Sequence, residues 1–167
     1  RTPAQNQRDS WVLNMISTYL SDGQSSKLYK KIVDEKKMAL AAQASNLGME
    51  DYGMYFIFCF PMGENNMDDL SIEIDEEINL IQNKLISEKD YQKIMNKLES
   101  QFVSSNSSFE GIASSLATYY MLYDDINLIN SQLDIYKSIS REEIREVAKK
   151  YLSPNQRIEI EYLPTEK

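Results

Sequence analysis

The stretch Gly23–Gly48, GQSSKLYKKIVDEKKMALAAQASNLG, decides how the chain is read. Gly23 stands where a preceding helical pattern stops, a position where a side chain would obstruct the turn. Ser25 and Ser26 offer hydroxyls to the free N–H groups of a following helix. Leu28, Tyr29, Ile32 and Val33 give that helix an apolar face, and the charges of Asp34, Glu35, Lys36 and Lys37 collect at or just past its end. From Met38 the pattern changes. Ala39, Leu40, Ala41, Ala42 and Ala44 predict a strand whose small side chains let neighbours pack closely. A helix, a glycine turn, a second helix and a strand are therefore expected in quick succession.

Upstream, Asp9 precedes Trp11, Val12, Met15, Ile16, Tyr19 and Leu20 at helical spacing, with Asp9 as the expected N-cap. Downstream, Tyr55–Phe60 is apolar on both parities, which predicts a strand covered on both faces. Residues 38–62 thus read as an antiparallel pair, ended by Pro61 and Gly63. Met67, Leu70, Ile74, Ile78, Ile81 and Leu85 then mark one long amphipathic helix. Ser87 and Asp90 form a capping box before Tyr91, Ile94, Met95, Leu98 and Phe102. Ser104–Ser108 is a polar break. Helical patterns resume over 109–123 and 126–136, and Ser140 with Glu143 caps a last helix. Arg157–Tyr162 alternates strictly and predicts a strand with one wet face. Strands at both ends with helices between them define an α+β fold, an antiparallel sheet with helices packed against it. So few strands bury little alone. A further strand is expected from around Thr2–Gln5, or from sequence before Arg1.

Composition removes several chemistries. The 167 residues contain no histidine, which excludes a Ser-His-Asp triad, a Cys-His dyad and imidazole-bound zinc. Cys59 is the single cysteine, so neither an intrachain disulfide nor a cysteine metal cluster can form, and its apolar strand predicts an inert core thiol. No glycine-rich phosphate motif occurs. The net charge of −8 opposes nucleic-acid binding and reads first as a solvated surface. The apolar run Tyr55–Met62 is too short to span a bilayer. The carboxylate pairs Asp68/Asp69, Glu76/Glu77, Asp124/Asp125 and Glu142/Glu143 read as solvated helix faces or first turns, not as catalytic dyads. Tyr119, Tyr120 and Tyr123 read as a core-edge stripe, and the eight scattered methionines as gap-fillers.

Two motifs carry a family resemblance. Leu20-x-x-Gly23-x-Ser25-Ser26-x-Leu28-Tyr29 is followed by Ala39 and a strand. Ile139-Ser140-x-x-Glu143-Ile144 is followed by Ala148-x-x-Tyr151-Leu152 and a closing strand ending in Pro164. In this order and at these distances, the chain resembles the non-catalytic half of pitrilysin/insulinase-type zinc metallopeptidases, the family that includes mitochondrial processing peptidase. The resemblance implies a lobe of the LuxS and processing-peptidase type, and a single domain over 1–167 excerpted from a longer two-lobe protein. It implies that a catalytic lobe, in the same chain or in a partner subunit, carries His-x-x-Glu-His and the zinc. This lobe then has no catalytic residue, no metal ligand and no cofactor of its own, and closes over a peptide substrate. Nucleic acid and an integral membrane location are not expected. Export of a bacterial parent to the periplasm or membrane surface is favoured over the cytoplasm.

Gly23, Ser25, Ser26 and Leu28 are expected to be structural, joining two helices. Many non-catalytic lobes of this family carry an arginine and, seven residues later, a tyrosine credited with holding substrate. The matching positions here are Val33 and Leu40, neither of which can donate a side-chain hydrogen bond. That role is therefore not carried over. Two other readings stay open. One is an assembly module without proteolysis, like the protease-related core subunits of respiratory complexes. The other is an unrelated α+β binding domain.

Overall fold

The computed structural model describes residues 1–63 and 65–162. The order is β1 (Thr2–Pro3), α1 (Arg8–Ser21), a π-helical turn (Tyr29–Glu35), β2 (Ala39–Leu47), β3 (Tyr52–Pro61), α2 (Met67–Asn83), α3 (Glu88–Ser105), α4 (Phe109–Tyr123), α5 (Leu128–Lys137) and α6 (Arg141–Tyr151), then a short 3-10 turn, Pro154–Gln156. The architecture is α+β, a three-stranded antiparallel sheet in the order β1-β3-β2 with helices packed on one face.

The hairpin forms as its pattern predicts. Ala42 pairs with Cys59 and Ala44 with Ile57, in a regular register from Ala41–Phe60 to Leu47–Met54. Between Ala39 and Ala41 the register slips by one, and the extra residue, Leu40, is 67% exposed. A bulge of this kind lets one side chain leave the alternation. The segment around Thr2 does supply the third strand, since Thr2 and Pro3 pair with Gly53 and Tyr52. Gly53 permits that contact: a Cβ there would lie 2.6 Å from the Thr2 hydroxyl and collide with the Leu47 carbonyl.

Helix α1 is the hub. Val12, Leu13, Met15, Ile16 and Leu20 are fully buried, and the helix lies between β2 and α6, with α3 and α5 also against it. Ala42 and Ala44 keep the inner face of β2 low enough for α1 to approach. The polar seam between them is joined by Asn46, whose amide donates to the Ser10 hydroxyl and to Asn14 Oδ1, both at 3.0 Å. Tyr55, Ile57 and Cys59 of β3 pack onto this core. Burial pushes the Cys59 thiol up to about 11, so it stays protonated at neutral pH. Trp11 meets Tyr123 and Tyr136, and Tyr119 stacks edge-on to Tyr123. Tyr119 and Tyr123 are thus a core edge, while Tyr120 is 67% exposed.

Three expectations are corrected. Asp9 does not cap α1. The cap position is Gln7, without a side-chain bond, and the Asp9 carboxylate instead accepts from Lys150 Nζ at 2.7 Å and from the Tyr151 hydroxyl at 2.9 Å. Tyr55–Phe60 is not covered on both faces, because Phe58 and Phe60 stand 39% and 57% exposed. Arg157–Tyr162 forms no ladder among the described residues. Ile158, Ile160 and Tyr162 are each more than 80% exposed. Its alternation is real, but an alternating segment becomes a strand only beside a partner. The expected end of that strand at Pro164 lies outside the described residues. The serine half of each expected capping box forms: Ser87 and Ser140 hydroxyls accept from the Asp90 and Glu143 amides at 3.0 and 3.1 Å, while the Glu143 carboxylate pairs with Arg8 instead.

Candidate functional site

The motif Gly23–Tyr29 is the joint between α1 and the π-helical turn. Gly23 has φ of +80°, a left-handed conformation that glycine adopts without strain. The Ser26 amide donates to the Gly23 carbonyl at 3.0 Å, closing a tight turn. The expected capping by Ser25 and Ser26 hydroxyls does not occur: the helix begins at Lys27, just after Ser26, but the buried Ser26 Oγ has no hydrogen-bond partner. The turn is held from outside. On α3, Lys93 Nζ donates to the Ser25 carbonyl at 2.8 Å, and Lys97 bonds the Asp22 carbonyl and pairs with its carboxylate at 2.9 Å. Lys27 reaches Asp90 Oδ2 at 3.2 Å and lies over the Tyr19 ring. Burial and the neighbouring Lys97 charge hold the Lys93 ammonium below its ordinary range. Three lysines thus fasten the glycine turn to α3. Leu28 does what its position predicts, fully buried in the core with Ile32.

The second helix is wound as a π-helix, Tyr29–Glu35, where sequence spacing predicts an ordinary one. Wider winding is a strained arrangement that needs outside support. That support is a charge cluster the sequence did not reveal. Lys31 Nζ lies 2.6 Å from Glu76, 3.2 Å from Glu77 and 3.3 Å from Glu73 on α2, and Lys36 pairs with Glu73 at 2.5 Å. Hydrogen bonding from Lys36, then from Lys31, outweighs burial and holds the Glu73 carboxyl below the usual range. The pair Glu76/Glu77 is therefore a clasp for the π-turn, not an acid–base dyad. The i, i+3 and i+4 spacing of Glu73, Glu76 and Glu77 was visible, but nothing local named Lys31 as their partner.

Val33 is half-buried against the core, and Leu40 projects outward from the bulge. The structure thus places one of these positions inside the fold and the other at its surface. Neither offers a polar group, so neither can grip a peptide by hydrogen bonding. Zinc, which the resemblance associates with this family, does not fit the residues present. There is no imidazole in the chain, and among the described residues no group of three or more Cys, Asp or Glu side chains is arranged to hold a metal ion. The Glu73–Glu77 carboxylates are already neutralised by lysines. No helix among the described residues is long and apolar enough to cross a membrane.

Comparison with known proteins now places the domain. Residues 1–98 match the family described as the peptidase M16 inactive domain, and the chain belongs to that family. It is 24% identical over 159 residues to the zinc protease PqqE of Helicobacter pylori, a match covering 93% of this chain and 35% of that protein. The chain therefore spans about a third of the length of this curated relative. Among solved structures, an inactive peptidase domain from Bordetella parapertussis superposes with a TM-score of 0.85, at 21% identity, over 99% of this chain and 87% of that one. Complex III from Candida albicans contains a chain of the same fold, with a TM-score of 0.73 and 14% identity over 89% of this chain and 37% of that one. The periplasmic protease PqqL of Escherichia coli does too, with a TM-score of 0.71 and 17% identity over 91% of this chain and 16% of that one.

Proposed function

We propose that this domain is the non-catalytic lobe of a zinc metalloendopeptidase and closes over peptide held by a separate zinc-bearing lobe. The observation that supports it is the inactive-domain family match on a chain with no histidine. The zinc, the water-activating glutamate and the His-x-x-Glu-His motif belong to the companion lobe. This lobe contributes shape: its closure excludes water and shields the bound peptide. With Val33 and Leu40 lacking donors, what it offers a peptide is apolar contact and backbone pairing. The periplasmic fold neighbour supports export of the parent protein.

The test is a quenched-fluorescence peptide assay. The 167-residue chain alone, with added zinc, is expected to hydrolyse nothing. The polypeptide carrying both lobes is expected to cleave peptides and to lose that activity to a chelator, regaining it with zinc. Zinc-dependent turnover by the isolated chain overturns the reading, as does a two-lobe polypeptide that shows none. The second outcome favours an assembly module without proteolysis. That alternative is supported by the Complex III neighbour and by the apolar residues at positions 33 and 40.

A further inference from the structure

Helix α4 turns an uncharged face to the solvent. No charged residue occurs from Gly111 to Tyr123, although about a quarter of the chain is charged. Tyr119 and Tyr123 point inward to the core, and the helix packs mainly against α3 and α5. On its other side Phe109, Ala113, Ala117 and Met121 recur every four residues, all exposed, Phe109 by 95% and Met121 by 72%. Tyr120 stands exposed beside them. Four-residue spacing makes one continuous ridge on a helix. This ridge runs large, small, small, large over about 18 Å, and it reads the same from either end.

We propose that α4 is a two-fold dimerisation surface, on which α4 of a second copy of this chain packs antiparallel. A two-fold interface sets one patch against itself, so the patch must be self-complementary. No other partner imposes that symmetry. With the axis between Ala113 and Ala117, Ala113 meets the partner's Ala117 and Phe109 meets the partner's Met121. Ridges of this spacing pack at a crossing angle of about 50°. The alanines then sit where the helices cross and must be closest, and the long side chains fill the gap where they diverge. The charges agree with this register. Glu110 falls opposite the partner's Tyr120 and Asp124 opposite the partner's Asn106, so no carboxylate faces another. Covering Phe109, Tyr120 and Met121 buries on the order of 450 Å² per partner. The rest of the face brings the total toward the roughly 800 Å² of a stable complex. An anionic membrane surface is disfavoured, because α4 carries no lysine or arginine and has acids at both ends.

The experiment uses the full polypeptide that contains this domain. Sedimentation equilibrium is expected to show a monomer–dimer equilibrium. Ala113→Asp and Ala117→Lys, each alone, bury an unpaired charge at the crossing and are expected to raise the dissociation constant by about tenfold or more. Together they set opposite charges against each other across the axis and are expected to restore dimerisation. Both positions are exposed, so circular dichroism is expected to stay unchanged throughout. As a second measurement, photo-reactive benzoylphenylalanine at Met121, in a mixture of isotope-labelled and unlabelled protein, is expected to crosslink close to the partner's Phe109. A polypeptide that stays monomeric overturns the proposal, as does a dimer indifferent to the single changes or a double change that restores nothing. So does a crosslink that forms within one polypeptide, to an added peptide or to added anionic vesicles. None of these readouts depends on peptidase activity.

Discussion

Asp9 sits one residue inside α1, yet its carboxylate is bound by residues from the far end of the chain, Lys150 and Tyr151. Burial works against its charged form. Hydrogen bonds from Lys150 and Tyr151, then the charges of Lys150 and Arg8, outweigh it and hold the carboxyl below its ordinary range. A depressed carboxylate contributes stability that is present above its unfolded value, about 3.9, and lost as pH falls through the folded value. Asp9→Asn is therefore expected to cost about 1 kcal/mol at pH 7, the scale of a partly exposed pair. The difference from the unmodified protein should shrink as the pH falls below the ordinary carboxylate range, as read by urea unfolding across pH. Positions 33 and 40 give a second contrast. Leu40→Tyr places a larger side chain into solvent and is expected to leave the unfolding midpoint within error. Val33→Arg forces a cation against the core and is expected to cost about 1–3 kcal/mol. If both changes are silent in thermal unfolding, the burial assigned to Val33 is wrong. The motif residues were legible in the sequence as a joint. What holds the joint was not, because Ser25 and Ser26 looked like caps while Lys93 and Lys97 are some seventy residues away.

Among the elements, the π-helical turn depends most on its neighbour. Lys31, with 16% of its side chain exposed, faces Glu73 and Glu77 at 12% and 11%. Removing the cation leaves these carboxylates facing one another with little water. Lys31→Met is expected to cost about 2–3 kcal/mol at pH 7, and less at an acid pH below the ordinary carboxylate range, because the stability that Glu73 contributes through its depressed carboxyl is lost as pH falls through the folded value. Denaturant titration at the two pH values checks it, and equal losses at both would count against the clasp. The serine N-caps at Ser87 and Ser140 were readable because a cap spans only three residues. The Arg157–Tyr162 strand was misread because alternation specifies two faces but not an edge to pair with. The double-sided apolar pattern of β3 predicted cover on both faces, but among the described residues Phe58 and Phe60 stand exposed, because side-chain type does not specify which elements pack on a strand.

For the whole molecule, the packing divides the chain unevenly. Helix α1 buries residues against five elements, β1, β2, α3, α5 and α6, whereas residues 158, 160 and 162 are almost wholly exposed. Brief chymotrypsin treatment is expected to cut at Tyr162 before any tyrosine of the core, leaving a fragment with unchanged helical circular dichroism. Early cleavage at Tyr119 or Tyr136, both buried, would contradict this packing. By itself the sequence determined the α+β class, the helix boundaries set by local caps, and the lack of any imidazole to bind a metal. These follow from composition and from contacts between residues close in the chain. Only the tertiary structure decided which lysines hold the glycine turn, why the second helix is wound wide, and which sheet face lies open. Each of these depends on side chains brought together across long stretches of chain, and local pattern carries no record of such partners.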